Sequence, residues 1–295
     1  MSQPPPRTDL EQLRRQLLDL RDADALAEFI EQHPDLAAAN LTSWSDHPLG
    51  ASPLGYLAMA RFDTASGLWR DVTNTGAAAQ VLIAAGAPAD GGPNDRETPL
   101  ITAASYGDAD IAAVLIAAGA DINATARDDA GGVPGGSALL HAAVFGNTAV
   151  IDVLVEAGAQ IHSLEEAAAA GDLDPSDSTA WDLSSAPAQT RLRALIMAVD
   201  HQRIDVIDAL VAAGTNFDEE DEVFGRHPLR LAAANGRVAS VLSLVGHGAD
   251  RAGRDSNGFT ALDHCRHHRS QAEHTAPYDE IEGILSGEHH SVEPG

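Results

Sequence analysis

Lysine is absent from the sequence, and cysteine is nearly so. All 18 basic residues are arginines, and they are outnumbered by 44 acidic residues, which gives a formal net charge of −26 at pH 7. A surface of this sign repels nucleic acid and anionic lipid, so we expect neither as a partner, whereas a basic protein would be attracted. The same charge also keeps a chain in solution without any partner. Cys265 is the only cysteine, which excludes an internal disulfide.

Long apolar runs are missing too. No stretch is long enough to cross a membrane, and residues 1–7 lack the apolar core of a signal peptide. We therefore expect a cytoplasmic protein with no membrane partner. Hydrophobic residues still make up 44% of the 295 positions, which is enough for a sizeable core.

What recurs along the chain is a tripeptide that ends in Pro-Leu or Ala-Leu. In four of its six copies, a glycine stands 21 residues after the first residue of the tripeptide. Unrelated apolar segments would not keep one spacing four times, so the sequence predicts an array of repeats. The tripeptides begin at Ser52, Thr98, Ser137, Arg193, His227 and Thr260, and the spaced glycines are Gly119, Gly158, Gly214 and Gly248.

The residue types predict a pair of helices in each copy. Proline fits the first turn of a helix, where its missing N–H would be unpaired anyway, and glycine supplies the left-handed residue that ends a helix. In the copy that begins at Thr98, Leu100, Ala103 and Ala104 share one face of the first helix. We expect residues 114–116 of the second helix to fill the layer behind that face.

Residues 98–104, Gly107, residues 119–123 and the segment 255–262 resemble the ankyrin repeat. The pitch of 33 residues from His227 to Thr260 is also the length of that repeat. The resemblance implies an all-α solenoid of paired antiparallel helices, with about seven to eight units, terminal caps and internal insertions. It also implies a protein–protein interaction module that acts as an adaptor, inhibitor or regulator. No cofactor motif is present, and we expect no cofactor.

We predict one repeat domain over residues 8–287, between disordered segments at 1–7 and 288–295. Its cap covers residues 8–35, and a degenerate repeat is predicted where Gly171 aligns with Gly107. Insertions are predicted at residues 62–76 and in a glycine-rich loop at 128–136. The repeats begin near residues 52, 98, 137, 162 (the degenerate one), 193, 227 and 260.

The resemblance implies that the helix face opposite the core lines a concave groove, where large aromatic side chains would bind a partner. Tyr106 and Phe145 have an alternative role, which is to pack against neighbouring helices and cover the core. Trp69 and Trp181 lie in insertions that could fold over the groove. The predicted binding residues are Tyr56, Trp69, Thr102, Tyr106, His141, Phe145, Glu166, Trp181, Met197 and His201.

A small-molecule binder or an atypical enzyme is the alternative function. Its groove pocket would contain His141, Glu166, Asp200 and His201 as acid, base or ligand groups, closed by the two tryptophan insertions. No complete catalytic motif is present, so we prefer the interaction function.

Two histidines are the strongest candidates for metal ligands. His264 and His268 are four residues apart and share a helix face, as paired ligands do. No second Cys/His pair elsewhere in the sequence completes a tetrahedral site, so we expect no metal.

Overall fold

A computed structural model describes residues 7–16, 22–41, 51–63, 68–69, 72–173, 181–271 and 275–287 of the chain. The regular secondary structure of the described residues is helical, apart from one pair of two-residue strands. Their contacts divide the chain into two compact units, Met1–Gln160 and Ile161–Gly295. None of the helices in the described ranges combines the length and the apolar character needed to cross a membrane.

The first unit contains eight α-helices and one 3-10 helix among its described residues, and seven of the α-helices line up as two layers. Helices α3, α5 and α7 stack in one layer, and α2, α4, α6 and α8 stack in the other. The short strands pair antiparallel in the insertion that follows α3. The elements are α1 (Arg7–Arg14), α2 (Ala23–Gln32), a 3-10 helix (Pro34–Ala38), α3 (Pro53–Ala58), β1 (Phe62–Asp63), β2 (Leu68–Trp69), α4 (Thr75–Ala84), α5 (Pro99–Tyr106), α6 (Ala109–Ala117), α7 (Ala138–Val144) and α8 (Thr148–Glu156).

The second unit repeats the two-layer arrangement. Helices α10, α12 and α14 pack in sequence in one layer, where α9 also contacts α10, and α11, α13 and α15 pack in the other. The helices are α9 (Leu164–Ala170), α10 (Ala188–Asp200), α11 (Ile204–Ala212), α12 (Pro228–Ala234), α13 (Val238–Gly246), α14 (Ala261–Arg269) and α15 (Ala276–Ser286). The predicted all-α fold of paired helices is confirmed.

The predicted helix signals act as expected. Hydroxyl side chains at the N-caps of α3, α5, α7, α9 and α14 accept hydrogen bonds from backbone N–H groups of the first turn, which would otherwise lack an intrahelical acceptor. The glycines predicted to follow the second helices, namely Gly119, Gly158, Gly214 and Gly248, have φ values between 79° and 94°. The pairs α5/α6 and α7/α8 therefore have both a start and a stop signal in the sequence.

The degenerate repeat differs from the others in its second half. Helix α9 has the expected small-residue face, and Leu164, Ala167 and Ala168 are buried. No second helix follows among residues 171–173 and 181–187, and residues 174–180 lie outside the described part. Helix α10 begins at Ala188, five residues before Arg193, because no breaker residue follows Pro187 before that position.

Side chains connect consecutive repeats at the bases of the loops between them. The carboxylate of Asp90 accepts a hydrogen bond from the Asp121 backbone N–H at 2.8 Å. In the second unit, Asp218 accepts from the Asp250 N–H in the same way, at 3.0 Å. Asp90 and Asp218 each stand four residues after a helix-ending glycine, so the two carboxylates occupy equivalent positions.

Leu115 is the central buried side chain of α6, in the layer formed by α2, α4, α6 and α8. Its side chain is fully buried, whereas the neighbouring Ile116 is partly exposed. We expect Leu115→Ala to lower the free energy of unfolding by about 2–5 kcal/mol, because it leaves a cavity between helices. Ile116→Ala should cost only about 1 kcal/mol. Urea unfolding of the two variants measures this difference, and equal losses would show that the layer assignment is wrong.

Candidate functional site

The groove face predicted from the sequence is mostly buried. Tyr56, Thr102, His141, Glu166, Met197, Asp200 and His201 are all buried, whereas Phe145 is 46% exposed and Tyr106 and Trp181 are partly exposed. Trp69 belongs to β2, and its side chain lies outside the described part. The four residues of the alternative pocket are divided between the units, with His141 in the first and Glu166, Asp200 and His201 in the second. The sequence predicts that these residues line an open groove, whereas most of their side chains are buried.

His141 is held between two partners of its own unit. Its Nε2 lies 2.9 Å from the Val133 carbonyl oxygen, and its Nδ1 lies 2.8 Å from the Ser105 hydroxyl. Because a carbonyl can only accept, we assign the proton to Nε2, and Nδ1 then accepts from Ser105. Burial lowers the pKa of His141, and the Val133 hydrogen bond opposes that effect. The ring is completely covered. The Val133 hydrogen bond fixes a loop to α7, and the Ser105 hydrogen bond joins α5 to α7.

The loop that contains Val133 is the glycine-rich segment 128–136, where the sequence predicts only an insertion. A Cβ at Gly132 would lie 3.2 Å from His141 Cε1 and 3.4 Å from Phe145 Cε2. A Cβ at Gly136 would lie 3.1 Å from His141 Cδ2 and 2.9 Å from the Val133 oxygen. The glycines therefore let the backbone approach the imidazole, and this packing is the physical reason why His141 is buried.

Glu166 and Asp200 are also engaged within the second unit. Glu166 Oε2 accepts the backbone N–H groups of His162 at 2.7 Å and Ser163 at 3.0 Å, and so closes the N-terminus of α9. Asp200 Oδ1 accepts from Asn235 Nδ2 at 2.9 Å and from Arg237 Nε at 3.0 Å. These carboxylates stabilise a helix end and a repeat interface.

The two candidate metal ligands have different surroundings. His264 Nε2 lies 2.9 Å from Asp255 Oδ2, and the His268 ring stands edge-on to His267 with centroids 5.5 Å apart. Within the described ranges, no cluster of three or more His, Cys, Asp or Glu residues is arranged to hold a metal ion.

A turn between α11 and α12 exposes two apolar side chains. The Asp221 carboxylate accepts the backbone N–H groups of Val223, Phe224 and Arg226 at 2.8–3.0 Å, and the Asp221 N–H donates to the Arg226 carbonyl at 2.9 Å. Val223 and Phe224 are 61% and 57% exposed. The Arg226 guanidinium lies 4.9 Å from the Phe224 ring centroid. We call residues 221–226 the first finger turn.

A similar turn precedes α14. Asp255 Oδ1 accepts from the N–H groups of Asn257 at 2.8 Å and Phe259 at 2.9 Å, and the Asp255 N–H donates to the Phe259 carbonyl. The Phe259 hydrogen bond is the main factor that lowers the pKa of Asp255. Phe259 is 53% exposed and its ring stands edge-on to His264. We call residues 255–259 the second finger turn.

Sequence reasoning recognised residues 255–262 as part of a repeat but did not include Phe224 or Phe259 among the binding residues, although the sequence contains a signal for both turns. In each turn, an aspartate is followed within four residues by an adjacent Phe and Gly: Asp221 by Phe224 and Gly225, and Asp255 by Gly258 and Phe259. Aspartate favours such turns because its carboxylate can accept nearby backbone N–H groups.

A polar cavity of about 450 Å³ lies at the bases of the two turns. Its wall contains four carboxylates, two guanidinium groups and one imidazole. These groups belong to Asp218, Glu220, Asp250, Asp255, Arg230, Arg254 and His227.

His227 is the most unusual residue of this wall. It occupies the N-cap of α12 but makes no side-chain cap bond there, and it is only 7% exposed. Burial lowers its pKa to about 4, Arg230 adds to that effect, and a hydrogen bond with the Asp218 backbone opposes it. Its Nδ1 is buried without a hydrogen-bond partner among the described residues. His227 is therefore neutral near pH 7.

Residues 72–165 match the family model described as "Ankyrin repeats (3 copies)". This part of the chain consists of ankyrin repeats. The chain is also similar to the crystal structure of the human ASB11 ankyrin repeat domain, at 19% identity and a TM-score of 0.41, over 96% of this chain and 99% of that one. A search of the curated proteins finds no match. Ankyrin repeats are generally protein–protein interaction modules.

Two glycines of the loop at 128–136 test the packing against His141. We expect Gly136→Ala to weaken loop attachment by about 1–3 kcal/mol, because the added methyl group meets the Val133 carbonyl and the imidazole. Gly131→Ala is the matched control, since a Cβ there meets nothing within 4 Å. Hydrogen exchange of the Ala126 amide, which donates to the carbonyl of residue 136 at 2.8 Å, should accelerate in the first variant only. Similar exchange rates in the two variants would contradict the packing.

His227 should make the protein sensitive to mild acid. Its folded-state pKa of about 4 lies below the ordinary value of 6.5, so the unfolded chain binds more protons between these values. This group therefore contributes stability at pH 7 that falls by about 2 kcal/mol on going to pH 5. Burial raises the pKa of Glu97 to about 7. Glu97 therefore adds stability as the pH falls from 7 to 5, which opposes the effect of His227.

The pH dependence must therefore be measured as a difference between variants. His227→Thr replaces the imidazole with a hydroxyl group, the cap type found at α3, α5, α7, α9 and α14. Its free energy of unfolding relative to the unmodified protein should rise by about 2 kcal/mol between pH 7 and pH 5. His162→Thr, at an exposed histidine of the same unit, is the control. A difference that does not vary with pH would mean that His227 is not held neutral.

Proposed function

We propose that this ankyrin-repeat protein is a protein-binding adaptor, inhibitor or regulator, and that its finger turns contact the partner. One observation carries the proposal. Three large apolar side chains, Val223, Phe224 and Phe259, are more than half exposed on turns whose backbone is fixed by aspartate hydrogen bonds. Exposed aromatic groups on a fixed backbone are suited to binding, because little conformational freedom is lost when a partner covers them.

The groove face supplies a second proposed contact in the first unit. Phe145 remains 46% exposed beside the glycine-rich loop, and Tyr106 is partly exposed with its ring 6.2 Å from that of Phe62. The net charge of −26 favours a basic partner, because opposite charge speeds encounter and discriminates against acidic proteins.

The small-molecule or catalytic alternative receives less support. It needs His141, Glu166 and Asp200 to face a ligand, and each of these groups is buried and hydrogen-bonded to neighbouring groups of its own unit. We therefore favour the interaction function.

A capture experiment tests the finger turns. We expect Phe224→Ala combined with Phe259→Ala to reduce recovery of specific partners from a lysate of the source organism by about tenfold or more, because buried aromatic anchors dominate interfaces. Leu242→Ala on α13 is the matched control, since it removes a side chain that is 50% exposed outside the turns. Quantitative mass spectrometry measures recovery, and thermal melting verifies folding. Equal recovery with the double variant would place the binding surface elsewhere.

A further inference from the structure

We infer that the cavity at the bases of the finger turns binds an arginine side chain of the partner protein, with an apolar residue beside that arginine packed against Phe224 or Phe259. This inference rests on the proposed function, because it assigns the chemistry of the partner segment that the finger turns contact. The evidence for it is which groups of the cavity wall already have a hydrogen-bond partner and which do not.

The two guanidinium groups of the wall already have acceptors. Arg230 forms an ion pair with Glu220, and Arg254 Nη1 donates to the Gly258 carbonyl at 2.6 Å. Glu220 is balanced by Arg230, and Asp255 contacts His264 at 2.9 Å. The cavity therefore has no strong requirement for an anion.

Other carboxylates of the wall still have oxygen atoms that can accept hydrogen bonds. Asp218 and Asp250 each use Oδ1 to accept one backbone N–H, from Asp250 and Ala252 respectively. Within the described part of the chain, neither Oδ2 has a hydrogen-bond donor. Two carboxylates of the wall thus have an acceptor oxygen and a negative charge available to a ligand.

His227 adds a third acceptor to the same wall. Its side chain is more than nine-tenths buried, and its neutral imidazole carries one proton, which we assign to Nε2. The other nitrogen, Nδ1, then carries a lone pair, and no donor reaches it among the described residues. Such a buried acceptor without a donor is costly, and a ligand N–H would satisfy it after a small shift of the side chain.

These acceptors match a ligand that carries several N–H donors and a positive charge. A guanidinium group provides five donors in a planar fork, which suits acceptors that are spread over a wall. A metal ion fits less well, because no group of three or more ligand side chains converges among the described residues.

The surroundings of the cavity define the rest of the partner segment. Glu220 of the wall directly precedes the first finger turn, which exposes Phe224, and Asp255 of the wall begins the second, which exposes Phe259. A segment that places an arginine in the cavity therefore has aromatic surface within reach of its neighbouring residues. A leucine or similar residue next to the arginine would bury that surface.

Synthetic peptides test this assignment on the full chain. The probe is acetyl-Leu-Gly-Arg-Gly-Leu-amide, and its control replaces arginine with citrulline, which has nearly the same shape without the charge. We expect the arginine peptide to shift the amide NMR signals of Asp250, Phe224 and Phe259, with an affinity about tenfold above that of the citrulline peptide.

Charge-removing variants locate the binding. Asp218→Asn with Asp250→Asn keeps both backbone hydrogen bonds and should reduce affinity for the arginine peptide by about tenfold. Asp90→Asn with Asp121→Asn is the matched control, because these residues form the equivalent pair in the first unit and make the same kind of backbone bonds. That control should bind the peptide normally.

Several results would overturn the inference. These are equal affinity for the citrulline peptide, equal loss in both Asn variants, or shifts caused by inorganic phosphate instead of the arginine peptide. The proposed function is tested separately by capture with the Phe224 and Phe259 double variant. If that variant loses its partners while the arginine and citrulline peptides bind equally, only the arginine assignment is wrong. If the arginine peptide binds and the citrulline peptide does not, but capture is unchanged, the finger-turn interface is wrong.

Discussion

Close packing of small residues between the first helices of neighbouring repeats is the constraint on which the structure depends. Leucine and two alanines recur on one face of these helices, and in α5, α7 and α12 all three are essentially inaccessible to solvent. Alanine allows backbones to approach closely, and no single helix pair could bury this face alone. The buried sets are Leu100, Ala103 and Ala104; Leu139, Ala142 and Ala143; and Leu229, Ala232 and Ala233.

This constraint explains why the fold could be predicted from the sequence. The cap, the apolar face and the terminal glycine of each helix pair all lie within about one repeat length, so local patterns contain the required information. Helix α10 departs from the prediction because its extra turns depend on the absence of a breaker after Pro187, while the motif alone points to Arg193.

The candidate site could be predicted much less well. Subtracting along the repeat places His141 on the open face of its helix, but a loop with extra residues folds back and covers it. The repeat pattern contains no information about such a loop, because an insertion is by definition outside the pattern. The exposure of Phe224 and Phe259 was not predicted for a different reason, because it depends on how Asp221 and Asp255 fold the chain locally.

His227 shows how stability and recognition compete within one repeat. Thr98, Ser137, Ser163 and Thr260 cap their helices with a hydroxyl group, and a cap of this kind contributes about 1 kcal/mol. At the corresponding position of α12, the chain has an imidazole that makes no cap bond and leaves a buried nitrogen unpaired. Both features cost stability, and departures from local rules of this kind are expected where a residue serves binding. His227 belongs to the cavity wall, together with two carboxylates whose oxygens can accept further hydrogen bonds. A ligand with N–H donors would offset the stability lost at His227, so binding and the stability of this repeat would be coupled.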